Sequence, residues 1–323
     1  MRPDATTRRE MTKARQEVKT ALIAHQKAMV KRNKVILQYA QSAAAKRDAR
    51  RLPETGGSVN RYRSMPEEAI LDIAPRGVLV AEGDSWFSYP FHDVIKKLYY
   101  EHGYKIASVA RAGDSLEAMA YGGGQLNEFL HTIEDLDQVP VAILLSGGGN
   151  DVAGDWFGML LNHKDSERPG WNEQVLSGVI DERIWLAYAR ILTRVTETCQ
   201  AKFKKALPIL VHGYDYPIAD GRGYLGGWGP LPGPWLQPGF RQKGYPDSPL
   251  DERRKLAKIL IDRFNVMVAK VASLNSFKHV KYLDLRNTFP PESYKTWWEN
   301  ELHPTARGFS AVANKFAGLL ETL

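Results

Sequence analysis

Five short apolar runs in the chain after residue 76 constrain its fold more than any other feature. Uninterrupted apolar runs of this length are typical of strands that are buried on both faces of a sheet. Longer amphipathic stretches separate them, at 93–102, 126–135, 182–206 and 251–274, and another follows at 305–320. Strands that alternate with helices form a parallel sheet covered by helices on both faces. The predicted strands are 77–81, 106–110, 141–145, 208–212 and, more weakly, 280–284.

The first four predicted strands each end in a short polar turn that contains glycine. These turns are 82–84, 111–114, 146–151 and 213–215. In open parallel sheets the functional site lies beyond the carboxyl ends of the strands. We therefore expect the residues that carry the chemistry to come from these turns.

Length and composition exclude several classes of protein. With 323 residues, 43% hydrophobic and 25% charged, the chain can bury a full core and is neither disordered nor collagen-like. No run approaches the roughly eighteen apolar residues of a membrane span. A single cysteine, Cys199, excludes an internal disulfide and a cysteine-rich zinc site. The basic N-terminus has no apolar segment behind it, so we expect a reduced, cytoplasmic setting, with leaderless export left open.

The positive charge is concentrated in an N-terminal arm, residues 1–64. This arm holds 16 Lys and Arg against 5 Asp and Glu, whereas residues 65–323 hold 28 against 32. A weak heptad of Leu22, Met29, Ile36 and Ala43 predicts a helix that packs on its own body or on a second copy of the chain. Binding to an anionic surface such as a membrane is the alternative. Nucleic acid is an unlikely partner, because aromatic and basic residues do not alternate there.

Two insertions interrupt the strand–helix pattern of the second predicted domain, residues 65–323. They lie near 154–180 and 217–249, and the second is rich in Gly and Pro. Long insertions of this kind are either functional loops or surface loops stapled to the body by aromatic side chains. Trp228 and Trp235 in the second insertion, with Tyr214 and Asp215 just before it, are candidate substrate-binding residues.

Three turns and one histidine supply the groups that acyl transfer needs. Ser85 follows the first strand, and a serine hydroxyl becomes a nucleophile only beside a base. Gly113 and Asn150 follow the second and third strands, where a backbone N–H and a carboxamide are suited to stabilise an oxyanion. His303 precedes Pro304 at the start of the last predicted helix. His residues with metal-ligand spacing are absent from the sequence, so we expect neither a metal nor a cofactor.

These four positions resemble the conserved blocks of the SGNH hydrolases, also called GDSL-type esterases. The matching blocks are 83–85, 113–115, 148–151 and 303–304, in the family's order. The resemblance covers about 77–323 and implies a three-layer α/β/α sandwich of flavodoxin-like type around a parallel sheet of about five strands. It further implies that Ser85 is the nucleophile, Gly113 and Asn150 are oxyanion-hole donors, and His303 is the general base. Asp84 and Trp86, which flank Ser85, are assigned to substrate binding.

The chain departs from the family in two places. Trp86 stands where the family has Leu, which affects packing more than chemistry. Asn300 stands three residues before His303, where the family has Asp, and an amide cannot stabilise an imidazolium as a carboxylate does. We favour Asn300 or a nearby backbone carbonyl as the group that orients His303. Glu301 is the second choice, and Glu299 or a distant acid such as Asp215 remains open.

The sequence thus predicts a serine esterase that cleaves acetyl or short acyl esters, on a sugar or a lipid, through an acyl-enzyme at Ser85. Two alternatives remain. One is a phospholipase-like effector that acts at anionic membranes through the basic arm. The other is an acyl- or glycan-binding protein of the same fold without turnover, for which the replacement of the family's Asp by Asn300 would be the sign.

Overall fold

The computed structural model describes residues 76–122, 124–226 and 231–323, so the predictions for the arm at 1–64 and for Trp228 lie outside it. Five parallel strands form one sheet, in the order β2-β1-β3-β6-β7. The predicted fold class is confirmed, and each predicted strand is present within one or two residues of its predicted bounds. The strands of this sheet are β1 Val78–Glu82, β2 Lys105–Ser108, β3 Ala142–Leu145, β6 Ile209–His212 and β7 Val280–Leu283.

Helices follow the strands and lie in two groups. In one group the first helix packs against the last. In the other, three helices pack against the long helix that precedes β6. The first group is α1 Val94–His102 and α10 Ala306–Leu320, and the second is α2 Leu116–Tyr121, α3 Gln125–Glu134, α6 Trp185–Phe203 and α8 Asp251–Ala272. All four residues of β3 are buried, as expected for a central strand between two helical layers.

The two insertions contain short elements that the sequence did not predict. The first holds a 3₁₀ turn, Phe157–Leu160, and a small antiparallel hairpin. The second holds another 3₁₀ turn, Tyr224–Gly226, and a short helix. The remaining elements are α4 Gly149–Val152, β4 Leu161–Asn162, β5 Gly170–Trp171, α5 Glu173–Ser177, a π-helical stretch Gly178–Ile184, α7 Gln237–Gln242, α9 Tyr294–Trp297 and the 3₁₀ turns Asn275–Phe277 and Pro291–Ser293.

The start of α10 brings the end of the chain to the strand ends. Thr305 caps this helix, since its side chain accepts a hydrogen bond from the Gly308 N–H. Phe309, Val312 and Phe316 on its inner face are fully buried. His303 lies just before the cap, so the packing of α10 also sets the position of the imidazole.

Candidate active site

The turn after β1 presents Ser85 and is held by the buried carboxylate of Asp84. That carboxylate accepts hydrogen bonds from the Trp86 N–H (3.0 Å), the Ser146 hydroxyl (2.8 Å) and the Tyr214 hydroxyl. Tyr214 Oη in turn accepts a hydrogen bond from the Gly149 N–H at 3.2 Å. Asp84 therefore ties the turn of the serine to the turns that follow β3 and β6.

Ser85 and His303, 218 residues apart in sequence, are in hydrogen-bond contact. Ser85 Oγ lies 2.7 Å from His303 Nε2, and His303 Nδ1 lies 2.9 Å from Asn300 Oδ1. Asn300 Oδ1 also accepts the backbone N–H groups of Leu302 (3.0 Å) and His303 (2.9 Å). Because these donors fix the amide with its oxygen toward the ring, Nδ1 carries the imidazole proton. The lone pair of Nε2 is then available to accept the proton of the serine.

Burial determines the protonation state of the imidazole. His303 is 5% exposed, and loss of hydration lowers its pKa to about 3. The ring lies between two aromatic side chains: Tyr89 is stacked on it at 4.2 Å between centroids, and Trp235 meets it edge-on at 5.2 Å. The imidazole is therefore neutral over the physiological range, the form that a general base requires.

The turns that carry Ser85, Gly113 and Asn150 are hydrogen-bonded to one another. The Arg111 N–H donates to the Gly83 carbonyl at 2.8 Å, which joins the second turn to the first. The Asn150 carboxamide donates to the Asp114 carbonyl at 2.9 Å, which joins the third turn to the second. The carboxylate of Asp151 also links the third turn to the start of α2, since it accepts hydrogen bonds from the N–H groups of Leu116 and Glu117.

This arrangement leaves donors free for a substrate oxygen. Among the hydrogen bonds of residues 76–122, 124–226 and 231–323, none uses the N–H of Ser85 or of Gly113. Asn150 has a second N–H besides the one given to Asp114, and its side chain borders the same cavity as Ser85. Gly113 has a φ of 90°, a conformation that a residue with a side chain rarely adopts.

Two acids considered as partners of His303 have other roles. The buried Glu301 carboxylate accepts the backbone N–H groups of Gly221, Trp235, Leu236 and Gln237, at 2.6–3.0 Å. Asp215 accepts those of Tyr216, Asn287 and Phe289, each at 2.8 Å. Neither carboxylate contacts the imidazole, so these two alternatives are wrong and the favoured one, Asn300, is the group on Nδ1.

Glu301 also links the second insertion to the turn that carries His303. Its four bonds join residues 221 and 235–237 to that turn. Arg222 adds donations to the carbonyls of Trp298 (2.7 Å) and Glu299 (2.9 Å). Hydrogen bonds therefore hold the described part of this insertion beside the site, where the Trp235 ring contacts His303.

Several predicted substrate-binding residues border the cavity and also bond to the protein. Asp84 and Asp215 line the cavity while their carboxylates accept protein donors, so their assignment to substrate binding stays a prediction. Trp86 is buried and its indole N–H donates to the Leu302 carbonyl at 3.1 Å, next to His303. Tyr214 borders the cavity, but its hydroxyl is engaged with Asp84 and Gly149. Trp235 lies at the site, on the imidazole.

An apolar cavity of about 50 Å³ opens beside Ser85 and Asn150. A water molecule needs about 10–15 Å³, so the cavity has room for about four groups of that size. Its apolar walls come from the end of α4 and the residue after it, the second insertion, α8 and the turn before His303. They are Val152, Ala153, Pro217, Leu236, Leu260, Ile261, Phe264 and Leu302.

Sequence reasoning missed Tyr89, which contacts both His303 and Asn300. Its ring is stacked on the imidazole and its hydroxyl accepts from Asn300 Nδ2 at 2.9 Å. The signal available in the sequence was its position four residues after Ser85, in an aromatic segment between a strand and a helix.

The low pKa of His303 predicts an acid limb of the rate profile far below the usual histidine range. A base must be unprotonated, and the ordinary pKa is about 6.5, so a lowered value extends activity toward acid pH. We expect kcat/KM for p-nitrophenyl acetate to stay nearly flat from about pH 7 to about pH 5. The unfolded chain takes up this proton at about 6.5, so the contribution of His303 to stability is lost as pH falls from there toward 3. Half-maximal activity near pH 6.5 would contradict the buried neutral imidazole.

The described residues contain neither a candidate metal site nor a candidate membrane span. They contain no group of three or more His, Cys, Asp and Glu side chains arranged to hold a metal ion. None of their helices combines the length and the apolar character needed to cross a membrane.

Comparison with known proteins gave structural matches only. No protein-family model and no curated protein matches the chain. The lipase Lip_vut3 from a goat rumen metagenome is 15% identical, with a TM-score of 0.48 over 75% of this chain and 96% of that chain. A protein from Slackia heliotrinireducens, provisionally named an SGNH hydrolase, is 12% identical, with a TM-score of 0.44 over 75% and 97%. A catalytic mutant of Axe2, an acetylxylan esterase from Geobacillus stearothermophilus, is 14% identical, with a TM-score of 0.39 over 77% and 96%. In fold, the chain is similar to structures of SGNH hydrolases, GDSL-like lipases and acetylxylan esterases.

Proposed function

We propose that the body of this chain is a serine esterase of the SGNH hydrolase type. One observation carries the proposal: a serine hydroxyl lies 2.7 Å from the Nε2 of a neutral imidazole whose other nitrogen is held by an amide oxygen. This is the arrangement in which a weak nucleophile is activated by an adjacent base that is itself oriented by a third group.

The reaction begins with attack of Ser85 Oγ on the ester carbonyl while its proton passes to His303 Nε2. The carbonyl oxygen becomes negative and is stabilised by the N–H groups of Ser85 and Gly113 and the free N–H of Asn150. The tetrahedral intermediate collapses, the bond to the alcohol breaks, and the alcohol leaves with the proton from His303. Water then gives a proton to His303 and attacks the acyl-enzyme, and the released acid leaves Ser85 with its proton restored.

The cavity supports a short acyl group as the substrate. It is apolar, borders the nucleophile and has space for about four water-sized groups. An acetyl to butyryl group fits this space, whereas a fatty acyl chain would have to displace α8 side chains that are 2–7% exposed. The alcohol part of the ester lies on the open side, and nothing in the cavity selects it.

A panel of esters tests this proposal, and we expect kcat/KM to fall by at least about tenfold from acetate to hexanoate. Replacing Leu260 with Ala lengthens the cavity, so the ratio of hexanoate to acetate activity should rise about tenfold. Ile259→Ala on the same helix, half exposed, is the matched control and should leave the ratio unchanged.

The same panel separates the proposal from its alternatives. Fastest turnover on phospholipid vesicles would favour the phospholipase-like effector. A folded protein that hydrolyses no ester and takes up no fluorophosphonate would be a binding protein, and the esterase proposal would fail.

A further inference from the structure

The hydrogen bonds that begin at His303 continue beyond Asn300 to a carboxylate. Asn300 Nδ2 donates to Tyr89 Oη at 2.9 Å, and the Tyr89 hydroxyl donates to Glu299 Oε1 at 3.2 Å. Tyr89 and Asn300 are buried, and Glu299 is half-buried. The chain of contacts is thus imidazole, amide, phenol and carboxylate.

The donors and acceptors in this series of hydrogen bonds can be assigned in only one way. The backbone donors on Asn300 Oδ1 fix its amide, so Nδ2 must be the end that faces Tyr89. Because the phenol oxygen accepts from Nδ2, its single proton is left for Glu299, and an ionised carboxylate can only accept. Each bond polarises the next in the same sense, which increases the negative charge on the amide oxygen that faces His303.

Neighbouring residues hold Glu299 in place. Among the described ion pairs, none joins the Glu299 carboxylate to a cation. Its backbone N–H donates to the His303 carbonyl at 2.9 Å, which fixes the turn. Arg222 faces the same turn, but its guanidinium donates to backbone carbonyls and is paired with Asp220 at 2.7 Å. Tyr224 lies edge-on to Tyr89 at 5.7 Å between centroids, and burial raises the pKa of its phenol, so it remains neutral. Trp235 meets the imidazole edge-on, at 5.2 Å between ring centroids.

We propose that Tyr89 and Glu299 are positioning residues that supply, through the amide of Asn300, the negative charge that a carboxylate on His303 would otherwise provide. The ring of Tyr89 adds to this, since an aromatic face stabilises the cation that forms when His303 takes the serine proton. The expected changes in kcat rest on the proposed esterase function, whereas the hydrogen bonds themselves can be tested without it.

Two conservative variants and their combination test the chain of bonds. Glu299→Gln removes the charge and Tyr89→Phe removes the hydroxyl while the stacked ring remains. Each should lower kcat about tenfold with little change in KM. Because the two act in series, the double variant should lose no more than Tyr89→Phe alone, whereas independent effects would multiply to about a hundredfold. Glu292→Gln, at an exposed glutamate in the 3₁₀ turn 291–293, is the control and should keep full kcat.

A second measurement does not require activity. The Nδ1–H proton of His303 should give a downfield resonance in the proton spectrum, and both variants should move it upfield as its hydrogen bond weakens. Ser85-dependent hydrolysis with unchanged kcat and an unchanged resonance in folded Glu299→Gln would overturn the inference and leave the esterase standing. A resonance that moves in a protein without ester hydrolysis would support the inference and remove the esterase.

Discussion

Replacing Ser85 with alanine is expected to lower kcat for p-nitrophenyl acetate by about 10⁴-fold or more and to abolish labelling by a fluorophosphonate. In the proposed mechanism this hydroxyl is the group to which the acyl group is transferred. What remains is the catalysis that the oxyanion donors supply alone, because Gly113 and Asn150 are unaffected. The measurement is the steady-state rate on purified wild type and variant, together with probe labelling seen in a gel.

The melting temperature should distinguish this loss of activity from unfolding of the variant. Ser85 Oγ contacts His303 and is not one of the donors that hold Asp84, so Ser85→Ala should melt within a few degrees of wild type. Ser88→Ala, three residues along the same turn, is the matched control and should retain labelling. Undiminished labelling of Ser85→Ala would show that the nucleophile lies elsewhere.

Replacing His303 with alanine is expected to lower kcat by about 10⁴-fold, similar to the loss in Ser85→Ala. Without the imidazole the serine hydroxyl loses the acceptor that the proposed mechanism assigns to its proton. Because serine and histidine act as one unit, the double variant should be no worse than either single variant. This non-additivity is the second measurement.

The control for His303 is a histidine outside the site. His92 is exposed near the start of α1, and His92→Ala should keep the wild-type rate. A similar loss in His92→Ala, or additive effects in the Ser85 and His303 double variant, would show that the two residues do not share one proton transfer.

Much of the fold could be predicted because its signals are local. The five apolar runs have the length and pattern of buried parallel strands, and the long helices lie between them with the expected inner faces, as Phe309, Val312 and Phe316 show. The position of Ser85 in a strand-end turn and of His303 before a helix cap also followed from neighbouring residues. The short elements of the insertions were missed because each spans only two to seven residues, too few to show a periodic apolar pattern.

The third partner of His303 shows the limit of such reasoning. Asn300, Glu299 and Glu301 are adjacent in sequence, and sequence spacing alone left each of them open. The side chain of Asn300 faces the imidazole, that of Glu301 is turned to the N–H groups of residues 221 and 235–237, and that of Glu299 reaches Tyr89. For the two glutamates, the direction depends on partners 64 to 210 residues away.

The amino-acid sequence by itself determined the sheet, the order of its strands along the chain and the residues at their ends, because apolar periodicity and turn chemistry act over a few neighbouring positions. Only the tertiary structure decided that Tyr89 covers His303, that Glu301 fastens the second insertion, and that α8 closes the cavity beside Ser85. Those are contacts between segments far apart in sequence, and they exist only once the helices have packed on the sheet.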